Sequence, residues 1–128
     1  DQLVAVYPQR LEIARTRSGT FGIGVQNLEA DKEFSVYLEF ARAYNDKKES
    51  ICGGSDCSDN PPSKWLLYGG KQIISRDQLK TFPVKITVPK KAPDGVYIFD
   101  AKVCAEDKCT ESSKSYDNAV HKLYVRVG

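Results

Sequence analysis

Apolar residues recur along this chain at every second position far more often than at the 3.6-residue spacing of a helix, so strands are the elements it predicts. Phe21, Ile23 and Val25 alternate with Gly22 and Gly24 after the turn-forming Arg17-Ser18-Gly19, and Asn27 ends the run. Phe34, Val36, Leu38 and Phe40 alternate with Ser35, Tyr37 and Glu39, which gives one apolar face and one that meets solvent. Phe82, Val84, Ile86 and Val88 repeat the pattern, and Pro83, which cannot donate to a ladder, marks an edge or an irregular start. Tyr97, Phe99, Ala101 and Val103 alternate with Ile98, Asp100 and Lys102, and Leu123, Val125 and Val127 close the series. At the amino end, Leu3 to Val6 is a short strand broken by Pro8, after which Leu11 and Ile13 resume the alternation. A strand interrupted in this way can change sheets at the break.

Turn signals separate these runs. Pro89-Lys90-Lys91-Ala92-Pro93-Asp94-Gly95 joins two strands, and Tyr68-Gly69-Gly70-Lys71 predicts a tight hairpin between Trp65–Leu67 and Gln72–Ile74. Two long polar stretches, Asn45 to Lys64 and Ala105 to Asn118, interrupt the order, and a loop approaching the first one's length is more often functional than accidental. Strands at this spacing predict an all-β fold in one domain, residues 1–128. The expected architecture is an immunoglobulin-like sandwich of two antiparallel sheets with seven to nine strands and two long polar cysteine-bearing loops.

Each long loop carries a cysteine pair of the same spacing, Cys52 with Cys57 and Cys104 with Cys109. Disulfides are the expected chemistry: the count is even, and a C-x4-C gap without a nearby histidine sits at the edge of what zinc sites use. Local pairing is favoured because both gaps can turn, which would make two small staples worth about 2 kcal/mol each in the chain-entropy model. The competing pairing ties the Cys52 loop to the Cys104 loop. Oxidised cysteines point outside an ordinary cytosol. The absence of methionine and an aspartate at position 1 point the same way, to an extracellular or cell-envelope protein after removal of an N-terminal signal or anchor.

Composition narrows the function classes. Hydrophobic residues at 41% and charged residues at 28% describe a chain that folds in water and is not membrane-embedded. A net charge of +2 lacks the basic stripe that nucleic acid requires, so nucleic-acid partners are not expected.

Val88-Pro89, then Ala92-Pro93-Asp94-Gly95-Val96-Tyr97, with Tyr7-Pro8 and the Phe21-to-Asn27 strand, resemble the immunoglobulin-like modules of bacterial and archaeal cell-surface and secreted proteins, such as the NPCBM-associated α-galactosidase module. The cysteine-bearing insertions depart from that pattern, and the antibody-type Cys-Trp-Cys spacing is missing. The resemblance implies a surface-exposed, non-catalytic adhesion, spacer or assembly module. It also implies that Tyr97 begins the penultimate strand, where its hydroxyl can return to backbone as a tyrosine corner.

Catalytic chemistry finds little footing, and no enzyme activity is expected. His121, the sole histidine, has no nucleophile motif to serve, and it reads as an exposed or edge residue. Asp56 and Asp59 fall in a loop of solvated turns, and Gly22-Ile23-Gly24 has neither the third glycine nor the helix of a phosphate loop, so close packing explains it better. No cofactor is implied. Calcium is the one ion with candidate ligands, in Asp46, Glu49, Asp56, Asp59 and Asn60, but their spacing matches no EF-hand loop and Lys47 and Lys48 dilute the charge.

Contact with another protein, or self-assembly at the cell surface, is the expected mode of action. One version is a filament or pilus-like assembly in which the run Asp1 to Ile13 is donated as an edge strand, against an ordinary first strand as the plainer reading. The interface candidates are Leu3, Val4, Val6, Tyr7, Tyr37 and Tyr124. The alternative is a carbohydrate-binding module using exposed members of Tyr37, Tyr44, Trp65, Tyr68, Tyr116 and Tyr124, with Trp65 expected in the core.

Overall fold

The computed structural model describes residues 3–128, with Ser55 described in its backbone only. Ten strands form in chain order: β1 (Val4–Tyr7), β2 (Arg10–Glu12), β3 (Ser18–Gln26), β4 (Lys32–Tyr44), β5 (Ser50–Ile51), β6 (Leu66–Leu67), β7 (Lys71–Ile74), β8 (Leu79–Thr87), β9 (Gly95–Cys104) and β10 (His121–Val127). They make two sheets, β1-β3-β8-β6 and β2-β10-β9-β4, the second extended by β5 and β7 along the free edge of β4. This is the expected all-β sandwich, with slightly more strands because the first insertion contributes the short β5. Every pairing is antiparallel except β2 with β10, which is parallel. That exception follows from Pro8: β1 pairs with β3, the chain turns at Pro8, and β2 continues in the same direction in the opposite sheet.

The alternating residues meet between the sheets. Phe21, Ile23, Val25, Phe82, Val84 and Ile86 from the first sheet pack on Phe34, Val36, Leu38, Tyr97, Phe99 and Leu123 from the second, all essentially excluded from solvent. At about 25 cal/mol per Å², burying each such side chain stabilises by roughly 1.5–3 kcal/mol before conformational entropy is charged. Trp65 joins this core as expected, its ring 4.6 Å from that of Tyr97.

The β6–β7 hairpin does not form. Leu66 and Leu67 pair with β8 in one sheet, whereas Lys71 to Ile74 pair with β4 in the other, so Tyr68-Gly69-Gly70 carries the chain across the sandwich. Gly70 sits at φ +77°, which suits this reversal, and local turn chemistry alone cannot distinguish a hairpin from a crossing. Tyr68 then fills a gap on the β4 edge. Its hydroxyl accepts from Leu38 N–H at 3.1 Å and donates to Leu38 C=O at 3.2 Å, between the stretches covered by β7 and β5. A bulge between Phe40 and Arg42 resets the alternation of β4 and carries the strand on to Tyr44.

Both cysteine pairs close locally, Cys52 with Cys57 and Cys104 with Cys109. Geometry removes the crossed pairing: β4 pairs with Cys104 at Ser35 and with Ile51 at Ala43, so the two loops leave opposite ends of this strand, about 25 Å apart at 3.3 Å per residue. Tyr97 makes the expected corner, its hydroxyl donating to Pro93 C=O at 2.6 Å.

Candidate functional site

Three surfaces hold the residues singled out by sequence. The first is a cleft of about 400 Å³ at the end of the sandwich where the Cys52–Cys57 loop meets the β8–β9 connection. One wall runs from Asp56 to Asn60 and the other from Pro89 to Pro93, with Trp65 between them. The first wall is set by the disulfide and by Asp56, whose carboxylate accepts from Cys52 N–H at 2.7 Å and Gly54 N–H at 3.4 Å. The Cys52 bond in particular lowers the Asp56 pKa, because it favours the ionised form. The second wall is set by Tyr97, by Arg15, whose Nε donates to Ala92 C=O at 2.7 Å, and by the Arg15–Asp94 ion pair. Sequence reasoning noted Asp56, Asp59 and Asn60 but missed Lys90 and Lys91, since nothing local shows that two loops 30 residues apart will face each other.

The second surface is the outside of the β2-β10-β9-β4 sheet. Tyr37 and Tyr124 point outward here, as their alternation predicts, but their rings are engaged: Lys102 Nζ lies 5.6 Å from the Tyr37 centroid and the Arg10 guanidinium 4.9 Å from that of Tyr124. Desolvation raises the Tyr37 pKa, with Glu39 and Glu111 adding to it. Charges crowd this face, among them Glu39, Arg42, Asp100, Lys122 and Arg126, and Lys122 reaches Asp100 at 2.5 Å. Ile98 is the exception to its polar pattern. It faces outward yet is 2% exposed, with Tyr124 and Arg42 as cross-strand neighbours.

The third surface is the outside of the β1-β3-β8-β6 sheet, and it is nearly free of charge. From β3 it takes Ser18, Thr20, Gly22, Gly24 and Gln26; from β8, Leu79, Thr81, Pro83, Lys85 and Thr87. Ala5 and Tyr7 from β1 and Leu67 from β6 complete it, which leaves Lys85 as its one formal charge among the described residues. Tyr7 lies flat across the two glycines, so that a Cβ on either would sit 3.1 Å from its ring, and its hydroxyl is 2.6 Å from Thr81 Oγ1. Close packing is thus the role of the Gly-x-Gly stretch. Tyr7, Leu67 and Leu79 remain 49%, 67% and 63% exposed.

The other singled-out residues have structural employment. Val4 is buried and Leu3 and Val6 pack on the core of their own sandwich, so of the amino-terminal candidates Tyr7 alone presents a large free area; Asp1 and Gln2 lie outside the described residues. Tyr116 meets Phe34 edge-on at 4.9 Å and accepts from Leu28 N–H, and Tyr44 lies under Lys48. His121 is not simply an exposed residue: it is half-buried, with Nε2 2.6 Å from Asp117 Oδ2. The residues considered for calcium fall into two groups: Asp46 pairs with Arg126 at 2.8 Å and Glu49 accepts from Asn45 at 3.1 Å, whereas Asp56, Asp59 and Asn60 share one wall of the cleft. Among the described residues, the one cluster of three metal-type ligands is Cys52, Asp56 and Cys57, and its two sulfurs are spent on the disulfide. No helix among the described residues is long and apolar enough to cross a membrane.

No family model and no curated protein matches the sequence. Solved structures match in fold. A family 123 glycoside hydrolase from Clostridium perfringens superposes with a TM-score of 0.58 at 13% identity, covering 93% of this chain and 22% of that one. A chaperone–tip adhesin complex of CFA/I fimbriae biogenesis gives 0.50 at 16%, covering 98% of this chain and 57% of that one. The chain therefore spans about a fifth of the first and under three-fifths of the second. At such identities the likeness is one of all-β architecture.

Proposed function

We propose that this chain is a non-catalytic interaction module of the cell exterior or envelope that works by protein contact through the outer face of the β1-β3-β8-β6 sheet. The observation that carries the reading is the scarcity of charge there. A chain with 28% charged residues has placed one charge on this face and crowded the opposite one. Solvated surfaces need charge, whereas the centres of interfaces are depleted of it and enriched in aromatic residues such as Tyr7. The two disulfides support an oxidising compartment, and the resemblance to prokaryotic surface modules supports the same address. The hydrogen bonds of His121 and Asp117 include no serine, threonine or cysteine side chain, which supports a non-catalytic reading.

Self-assembly is the specific version. A second copy meets this face with little like-charge repulsion, Lys85 being the one charge each described face brings, and two twisted sheets pack readily on each other. The flat area of the four strands is about 400 Å², at about 16 Å² per residue. A standard stable complex buries about 800 Å² per partner, so a single contact is weak and gains strength when repeated on a surface. Donation of the amino-terminal strand is less well supported, since β1 would have to leave β3 and withdraw Val4 from the core. Sedimentation equilibrium tests the reading with the double variant Leu67→Glu and Leu79→Glu, which changes two exposed residues and spares the core. The proposal expects concentration-dependent association that this variant loses and Ile73→Glu, on the other sheet, keeps. A wild-type chain that stays monomeric at millimolar concentration overturns self-assembly.

A further inference from the structure

The two cysteine loops share one spacing but not one setting, and the difference carries an inference independent of the sheet contact. Cys52 and Cys57 have a carboxylate beside them: one donor atom each from Cys52, Asp56 and Cys57 lie within 4.8 Å of one another. Among the described residues, no third ligand of this kind joins Cys104 and Cys109. In the oxidised chain the Cys52 and Cys57 sulfurs bind each other. Once reduced, they are thiolate ligands, and the trio is a donor set of two sulfurs and one oxygen.

The loop is placed by more than its disulfide. Ile51 pairs with Ala43 just before Cys52. After Cys57 the chain is anchored by the buried Pro62 and Trp65, and the Trp65 indole N–H donates to Asn60 C=O at 3.1 Å. Between these anchors the Asp56 carboxylate accepts from Cys52 N–H at 2.7 Å and Gly54 N–H at 3.4 Å. A carboxylate has lone pairs to spare beyond two such bonds, and hydrogen bonds of this kind orient a metal-binding carboxylate. In a four-coordinate zinc site, with bonds of about 2.3 Å to sulfur and about 2.0 Å to oxygen, ligand atoms stand about 3.5–3.8 Å apart. The three side chains therefore need only a small rearrangement once the S–S bond opens. Asp56 and Cys57 also line the end cleft, which gives an ion its way in and a water the fourth position. Two thiolates select zinc-like ions and disfavour calcium and magnesium, which take oxygen ligands.

We propose that Cys52, Asp56 and Cys57 form a redox-gated site for a thiolate-preferring divalent cation of the zinc class, closed by the disulfide under oxidising conditions and open under reducing ones. The opening step is thiol–disulfide exchange: a dithiol gives two electrons and two protons, ends as its own disulfide, and leaves Cys52 and Cys57 as thiols. The ion then replaces both thiol protons, which pass to solvent.

The test adds cobalt(II), without oxygen, to the chain reduced by a dithiol and then freed of it. The expected result is one ion per chain with the sulfur-to-cobalt charge-transfer band of a thiolate complex, displaced by zinc, and no band from the oxidised chain. Replacing Cys104 and Cys109 by serine leaves the titration unchanged, whereas Cys52→Ser with Cys57→Ser abolishes it. Asp56→Asn, which keeps an acceptor for the Cys52 N–H, weakens binding about tenfold or more. Circular dichroism follows the fold of each sample. A reduced wild-type chain that binds no cobalt or loses its sandwich, a band that follows Cys104 and Cys109, or an Asp56→Asn titration equal to that of the wild type would each overturn the proposal. Failure here leaves the association of the β1-β3-β8-β6 face untouched, because that is read by sedimentation of the oxidised chain without metal.

Discussion

Replacing Tyr97 by phenylalanine removes a single polar atom that ties the core to the rim of the end cleft. The ring is fully buried and its hydroxyl donates to Pro93 C=O at 2.6 Å, so Tyr97→Phe keeps the packing and removes the bond. A net hydrogen bond contributes about 1 kcal/mol, and the half-buried Pro93 can recover part of its loss from water, so the expected cost at neutral pH is about 1–1.5 kcal/mol. For a chain of this size that is a fall of about 3–6 °C in Tm. Ionisation adds a second signature. Burial outweighs the opposing pull of Arg15 and pushes the Tyr97 pKa from 10.0 to about 12. A phenol whose pKa is raised on folding contributes stability in full below the unfolded value, and this stability is lost as pH rises through the folded one. Above pH 10, moving toward 12, the wild type therefore loses stability that the variant never had, and the gap between them narrows. Urea denaturation at pH 7 and near pH 11 measures both effects, with an unchanged m-value. A cost under about 0.3 kcal/mol at neutral pH, or a gap that does not narrow in alkali, would contradict this role for the hydroxyl.

Gly24→Ala puts a Cβ 3.1 Å from the Tyr7 ring and should cost about 1–2 kcal/mol by denaturation, while Tyr7→Ala in the same chain should recover about 1 kcal/mol of it in a double-mutant cycle. Gly95→Ala should be far worse, since Gly95 is at φ +154° and its Cβ would stand 2.5 Å from Tyr44 O; circular dichroism should find an unfolded or poorly folded chain. Replacing Cys104 and Cys109 by serine opens a short loop and should lower stability by about 2 kcal/mol while leaving the sandwich folded. Because the Asp56 pKa is lowered on folding, its contribution exists above the unfolded value of 3.8 and fades as pH falls below it. An acid titration followed by tryptophan fluorescence should show Asp56→Asn losing less than the wild type over that window.

Much of the sandwich was legible because an inner face imposes period two. The runs Phe21–Val25, Phe34–Leu38, Phe82–Val88 and Leu123–Val127 place their alternating apolar residues in the core, and Phe40 packs partly buried against it. Local cysteine pairing was legible from gaps short enough to close on themselves. What failed was information that is not local. Tyr68-Gly69-Gly70-Lys71 has the composition of a hairpin turn, and only the pairing of Leu66 with β8 and Lys71 with β4 makes it a crossing. Ile98 looked solvent-facing because its parity is outward, and cross-strand neighbours from two other strands cover it. The end cleft was half visible: Asp59 and Asn60 stood out in a long polar loop, but Lys90 and Lys91 read as an ordinary turn until the fold set them opposite. The uncharged face could have been found by writing out the solvent-side residues of β3 and β8 together, which requires knowing that those strands are neighbours.

The most direct test of contact through the uncharged sheet is residue-resolved NMR of the wild-type chain as it is concentrated from dilute to millimolar. Progressive shifts confined to Ala5, Gly22, Gly24, Thr81, Leu67 and their neighbours are the predicted result. Shifts confined to the charged face around Tyr37, Lys102 and Tyr124, or spectra that do not change with concentration, would contradict it.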